Sequence, residues 1–228
     1  MINFRVDPAM LRPYVPAGTE LDFCDGHALV SVVGFRFLNT RVRGFAIPFH
    51  RHFDEVNLRM YVRRDERGDI RRGVTFIREL VPRRAIAAVA RAVYNEPYVR
   101  VPMSSDVGIE GGRLQSATYR WQTSRGDCEL RAEVRSEPFA LPAEGSEACF
   151  VTEHYWGYTR QRDRGTIEYE VQHPRWNVCR AATAHLRGDT APLYDSGFAD
   201  VLKGEPCSAW VADGSEVMVY SPRRLSLP

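Results

Sequence analysis

Residues 55–62, EVNLRMYV, alternate without interruption. Val56, Leu58, Met60 and Val62 fall on one side, and Glu55, Asn57, Arg59 and Tyr61 on the other. A period of two is the period of a β-strand, so this pattern ties four polar side chains to one face of a sheet and four apolar ones to the opposite face. Asp65 to Gly68 reads as a turn, and GVTFIREL after Gly73 as the returning strand.

Strand signals recur along the chain. Asp25-Gly26 marks a turn between LDFC and HALVSVVGFRF. RLQSATYRWQ and CELRAEVRS read as strands. Thr152 to Gln161, TEHYWGYTRQ, forms a hairpin with GTIEYEVQH across a turn near Asp163 to Gly165, and SEVMVYSPRR is a last strand. The aromatic run HYWGYTR reads as a half-buried strand rather than a base-stacking platform. Val42 to Phe53 and Glu137 to Glu147, rich in glycine, proline and charge, read as loops. Two segments read as helix. Asp7 to Val15 has Asp7 as N-cap and Pro8 at the first helical position, and stops at Pro13 and Pro16. After Pro82, RRAIAAVARAVYNE carries an apolar stripe through Ile86, Val89 and Val93 and ends at Pro97. The apolar face of 55–62 is expected to pack on this second helix. With no repeat, linker or low-complexity tract, the expectation is one α+β domain over residues 1–228, mostly antiparallel β with a few short helices.

Composition removes several function classes. The 228 residues are 44% hydrophobic, yet no stretch approaches the roughly 18 apolar residues of a membrane span. MINFRVDPAM lacks the apolar core of a signal peptide, so the expected location is cytoplasmic, with no membrane partner. The 31 basic and 29 acidic residues are interspersed, which argues against a nucleic-acid face. No G-x-G-x-x-G, P-loop or G-x-S-x-G occurs, and no cofactor is expected. Cys24, Cys128, Cys149, Cys179 and Cys207 are odd in number and lack a CxxC pair, which argues against both a disulfide framework and cysteine-ligated zinc. His50 and His52, with His154 and His173 as further ligands, could form a metal site. They lie in an arginine-rich loop without facial-triad spacing, and no metal is expected.

Lys203 is the only lysine. An amine nucleophile must be a lysine or the N-terminus, activated by burial or a neighbouring cation. ADVLKGEP reads as an exposed turn, where lysine stays protonated and inert.

VDPAMLRPYVPAGTELD, EVNLRMYV, ARAVYNEPYVRVPM and VTEHYWGYT with VQHPRW resemble the YqjF-like family of bacterial proteins, over residues 6 to about 176. Members of that family resemble acetoacetate decarboxylases in fold. The resemblance implies a curved, partly closed antiparallel sheet around an apolar pocket. Ala46-Ile47-Pro48 before VNLRMYV, and the helix running into Asn95-Glu96-Pro97, are similar to segments of the decarboxylase. In that enzyme two adjacent lysines follow the proline, the first forming a Schiff base, and here Tyr98 and Val99 stand at those positions. The resemblance puts the enzyme's active-site glutamate at Val42, and its arginine in a stretch upstream of Asn3, so a slightly shortened N-terminus is expected.

The candidate pocket therefore rests on the polar face Glu55, Asn57, Arg59 and Tyr61, joined by Arg91, Tyr94 and Tyr98 from the end of the second helix. A solvated face or a structural ion-pair network is the plainer alternative for the strand, and simple packing for the tyrosines. An inward Arg59 should pair with Glu55 or with a bound carboxylate. The chain reads as a binding domain for a small, oxo-acid-like carboxylate or carbonyl compound, without Schiff-base chemistry. In its enzymatic version it is a lyase or hydratase with Glu55 or a tyrosine as acid or base, and Arg59 or Arg91 gripping a carboxylate. The alternative is a non-catalytic structural or interaction protein with a filled core. A homo-oligomer is compatible with the sequence.

Overall fold

The alternating segment sits inside a 14-residue strand, Phe53–Glu66, at the middle of a 12-stranded sheet. The computed structural model describes every residue except 39–40, 43–44, 47–51, 84–94, 111–112, 136–137 and 226–228. Counting only strands of three or more residues, the chain runs β1 (Ile2–Val6), β2 (Ala28–Phe37), β3 (Phe53–Glu66), β4 (Asp69–Val81), β5 (Tyr98–Arg100), β6 (Met103–Glu110), β7 (Arg113–Thr123), β8 (Gly126–Glu133), β9 (Trp156–Arg160), β10 (Thr166–Gln172), β11 (Val178–Arg180), β12 (Thr183–Arg187) and β13 (Ser208–Ala212). The described α-helices are α1 (Pro8–Leu11), α2 (Glu147–Thr152) and α3 (Ser196–Val201). None of them is long and apolar enough to cross a membrane.

The large sheet has the order β11-β13-β1-β2-β3-β4-β9-β10, and is antiparallel except where β9 and β5 lie parallel to β4. The second sheet, β12-β8-β7-β6, is antiparallel throughout. The large sheet does not close, so the architecture is α+β, mostly antiparallel, with a partly closed sheet and few short helices.

Val56, Leu58, Met60 and Val62 are fully buried. They join a core with Tyr119, Trp121, Cys128 and Leu130 of the second sheet and Phe198 of α3. Burial there stabilises by roughly 1.5–3 kcal/mol per large side chain. The expected helical partner over 84–96 lies mostly outside the described residues.

The β3–β4 hairpin turns at Arg67 and Gly68, both at positive φ (57° and 91°), the two-residue geometry that matches strand twist. Asp25 and Gly26 also turn at positive φ, yet close only a Cys24–His27 bridge. The preceding strand Glu20–Leu21 pairs with β3 instead of folding back on β2. Two further local differences appear. The stretch expected as a strand from Thr152 begins as the end of α2, whose N-terminus is capped by Ser146 Oγ accepting from the Cys149 amide at 3.1 Å. The last expected strand is reduced to the two-residue strands Met218–Val219 and Arg223–Arg224.

Candidate functional site

The polar face of β3 is buried rather than solvated. Glu55 and Asn57 are 1% and 2% exposed. A β-bulge decides what meets them. β3 and β4 shift register between Leu58 and Arg59, so Leu58 faces Arg78 while Arg59 faces Phe76, and Ile77 is the extra residue. Above the bulge Asn57 stands directly opposite Glu79, and residues directly opposite share a face. Glu79 in turn pairs with Tyr98 on parallel β5. Glu96 precedes that strand. Its segment is held by the Glu79 amide donating to the Pro97 carbonyl at 3.2 Å and by Asn95 Nδ2 donating to the Arg160 carbonyl at 3.0 Å. Asn95 takes positive φ (56°), which asparagine tolerates better than most residues. β9 and β10 add Thr159 and Tyr169.

Three carboxyl groups thus share one buried site. Glu55 accepts from Asn57 Nδ2 at 3.1 Å and from the Tyr98 hydroxyl at 3.0 Å. Glu96 accepts from the Tyr169 hydroxyl at 2.9 Å and from the Thr159 hydroxyl. Glu79 faces both Glu96 and Tyr98. Its Oε2 and the Oδ1 of Asn57 are buried without a hydrogen-bond donor.

Burial pushes Glu55 up to about 7, against the opposing hydrogen bonds from Asn57 and Tyr98. Burial pushes Glu96 to about 7 as well, against its bonds from Thr159 and Tyr169. Glu79 is raised well above the carboxylate range by burial and then by the Glu96 and Glu55 charges. The Tyr98 phenol is raised too, first by burial and then by the surrounding carboxylates, so it remains a donor. Among the described residues, no cation is among the groups acting on these three carboxyls. The site therefore holds protons near neutral pH, and can give or take one there.

Of the residues expected to line a pocket, the fold brings Glu55, Asn57 and Tyr98 together. Arg59 and Tyr61 continue along the same face into a second network. Arg59 Nη2 donates to the Val151 carbonyl of α2 at 2.8 Å, with its guanidinium 5.6 Å from the Tyr61 ring centre. Tyr61 shares a 2.5 Å hydrogen bond with Ser31 Oγ, which donates to Asn3 Oδ1 at 2.6 Å. Arg59 is thus an anchor for α2, and Glu55 takes its hydrogen bonds from Asn57 and Tyr98. Arg91 and Tyr94 lie outside the described residues, as does His50.

His154 is buried against Tyr61 and Phe150, with Nε2 3.6 Å from Asp22 Oδ2, and burial lowers its pKa. His52 is exposed, and among the described residues no group of three His, Cys, Asp or Glu side chains is placed to hold a metal ion. The five cysteines are free thiols. Two open grooves, of about 360 Å³ beside Pro8, Arg12 and Arg63 and about 200 Å³ beside Arg135 and Arg180, include no residue of the carboxyl cluster.

Glu79, Thr159 and Tyr169 were not legible as site residues, and Glu96 only as part of the Asn95-Glu96-Pro97 motif. The signal that could have found Glu79 is its charge in the otherwise apolar run of FIRELV.

A family model described as an uncharacterized conserved protein, DUF2071, matches residues 1–223. The chain belongs to the DUF2071 family. As a DUF2071 member it is 28% identical over 175 residues to the uncharacterized protein YqjF of Bacillus subtilis (strain 168), an alignment covering 76% of this chain and 69% of YqjF. Among solved structures, the acetoacetate decarboxylase of Legionella pneumophila superposes with a TM-score of 0.65 at 13% identity, covering 99% of this chain and 83% of that one. The enduracididine biosynthesis enzyme MppR, complexed with pyruvate, superposes with a TM-score of 0.63 at 14% identity, covering 99% and 86%. At such identities the likeness is one of fold: this DUF2071 chain has the acetoacetate decarboxylase-like architecture.

Proposed function

We propose that the chain binds a small oxo compound at the Glu55–Glu79–Glu96 cluster, and that its chemistry is proton transfer rather than imine formation. The observation that carries this reading is the Glu55–Tyr98 pair: a buried carboxyl pushed up to about 7 beside a phenol held protonated at 3.0 Å. An acid or base works best when its pKa lies near the working pH, and the Tyr98 phenol, which donates its one proton to Glu55, would turn that proton to a developing oxyanion once Glu55 takes up a substrate proton. Enolisation, hydration and lyase steps on a carbonyl compound can each use such a pair.

Lys203 offers no comparable route: it is exposed and paired with Asp200 at 3.0 Å. That MppR, a protein of the same architecture, has been solved with pyruvate supports a small oxo ligand here.

The test is deuterium exchange. The protein in D2O with butan-2-one or pyruvate should catalyse loss of the protons next to the carbonyl, followed by NMR. Glu55→Gln should lower the rate at least 100-fold, within the usual range for a general base. Equal exchange in the wild type and the variant would remove the acid–base role. Equal exchange with and without protein, together with no saturable binding, would favour the filled structural core.

A further inference from the structure

We infer that the open edge of the large sheet, at residues 217–220, is an interface on which a second copy of this chain docks, antiparallel and about a two-fold axis, so that two sheets become one. This surface is separate from the carboxyl cluster and does not rest on it.

Geometry carries the inference. The Met218–Val219 strand ends the path of the large sheet, with β10 on its inner side and, among the described residues, no strand on its outer side. Val217, Met218, Val219 and Tyr220 are between 39% and 55% exposed. Successive strand residues point to opposite faces, so both faces of this edge are open. Its backbone is open as well. Tyr220 donates its amide to the Glu170 carbonyl at 2.9 Å, and Val219 stands opposite Val171. Bonded and unbonded pairs alternate along an antiparallel ladder, so Val219 turns its N–H and C=O away from β10. An apolar edge with unused backbone groups is a template for a further strand. The other end of the large sheet is covered: Val178 and Cys179 of β11 are buried, and Ala140 bridges to Val178.

The edge is complementary to itself, which makes a second copy its occupant. A two-fold axis through Val219 sets the Val219 of each copy opposite the other, and the two exchange both of their free backbone hydrogen bonds. Met218 of one copy then faces Tyr220 of the other, twice, as a sulfur–aromatic pair. Charge fits the same arrangement. Glu216 precedes the apolar run and Arg223 and Arg224 follow it, so antiparallel pairing brings each Glu216 beside the other copy's Arg223. Among the described residues Glu216 has no ion pair, and both arginines keep exposed side chains beyond their bonds to Glu168 and Asp163. Parallel pairing would instead set Glu216 against Glu216 and arginine against arginine. Pro222 has no N–H and ends the pairing on that side. So short a contact falls below the roughly 1,200 Å² at which stable interfaces begin, and the dimer is a weak one that forms at micromolar concentrations.

The test is sedimentation of the full chain between about 1 and about 500 µM, the range in which weak dimers form. The mass should rise from 26.0 kDa toward twice that value. Val219→Pro removes an amide that β10 does not use, so it should weaken the dimer about tenfold or more while the melting temperature stays the same. Val219→Lys sets two like charges against each other across the axis and should do the same. Hydrogen exchange supplies a second reading: the Val219 amide should exchange freely at low concentration and become protected at high concentration, with the β10 amides unchanged. A wild-type chain that stays at 26.0 kDa throughout would leave the edge to solvent or to a strand of another protein, and overturn the second copy. A dimer that Val219→Pro and Val219→Lys both leave intact would place the contact elsewhere and overturn the edge.

Discussion

Tyr98 donates its hydroxyl to Glu55 Oε2 at 3.0 Å, across 43 residues of sequence and from a strand that pairs with β4 rather than with β3. The donor holds a carboxyl that burial pushes from 4.5 up to about 7. A raised acid pKa means that the folded state binds more protons than the unfolded state between those two values. Stability from this group is therefore complete below about pH 4.5 and declines as pH rises through about 7. Glu96 follows the same window, and Glu79 the same direction. Unfolding free energies from urea titrations should fall by a few kcal/mol in total between about pH 5 and 8, because each tenfold difference in proton affinity between folded and unfolded states is about 1.4 kcal/mol. Glu55→Gln should shrink that fall. A midpoint flat across this range would show that the cluster is not protonated in the folded protein.

Gly157 sits where a Cβ would collide with the Tyr169 ring, the ring that donates to Glu96. Gly157→Ala should cost about 1–3 kcal/mol by overpacking and turn Tyr169 away from Glu96. The checks are a denaturation midpoint and the pH profile of deuterium exchange, which should move to higher pH as Glu96 loses a hydrogen bond to its charged form.

The alternation of β3 made one half of this site legible. Period two fixes which residues share a face, and Glu55 and Asn57 were legible as a pair for that reason. Glu79 and Tyr169 were not, because the pairing of β4 with β3 and β5 and the bulge at Ile77 are decided by contacts tens of residues apart. Arg59 shows the complementary limit. Its face was readable, but its partner is a carbonyl of α2, 92 residues away, in a stretch between the loop read over Glu137 to Glu147 and the strand read from Thr152. A six-residue helix offers too little periodicity to be read from sequence alone.

Arg59→Met keeps the aliphatic stem and removes the bond to Val151. A hydrogen bond from a charged donor contributes about 1.5–3 kcal/mol, so stability should fall by that order and α2 amides should exchange faster. Binding at the carboxyl cluster should stay within twofold of wild type. A loss of binding with α2 intact would return Arg59 to the ligand site.

Borohydride with a β-keto acid should leave no covalent adduct. Lys203 is 61% exposed at its side chain and engaged by Asp200, so nothing desolvates its amine. Intact-mass measurement decides, and an adduct mapped to Lys203 would overturn the proton-transfer reading in favour of an imine.

Glu168 is fully buried on β10, yet it is ringed by arginines where the carboxyl cluster has no described cation. Arg71 Nη1 lies 3.1 Å and Arg64 Nη1 3.4 Å from its carboxylate, and Arg223 closes the third side from the C-terminal strand. Arg71 also stacks 4.4 Å above the Trp156 ring, so it cannot swing out without leaving that face. Removing one partner of a buried ionic group leaves the others uncompensated, which typically costs about 3–5 kcal/mol. Glu168→Gln keeps the shape and some hydrogen bonding, so a loss of roughly 3 kcal/mol is expected, with Arg223 relaxing into solvent. Asp163→Asn, which loses an ion pair with the exposed Arg224 and can keep the Gly165 amide bonded to Oδ1, should leave the midpoint unchanged. Similar midpoints for both variants would mean that the arginines around Glu168 are solvated well enough to do without it.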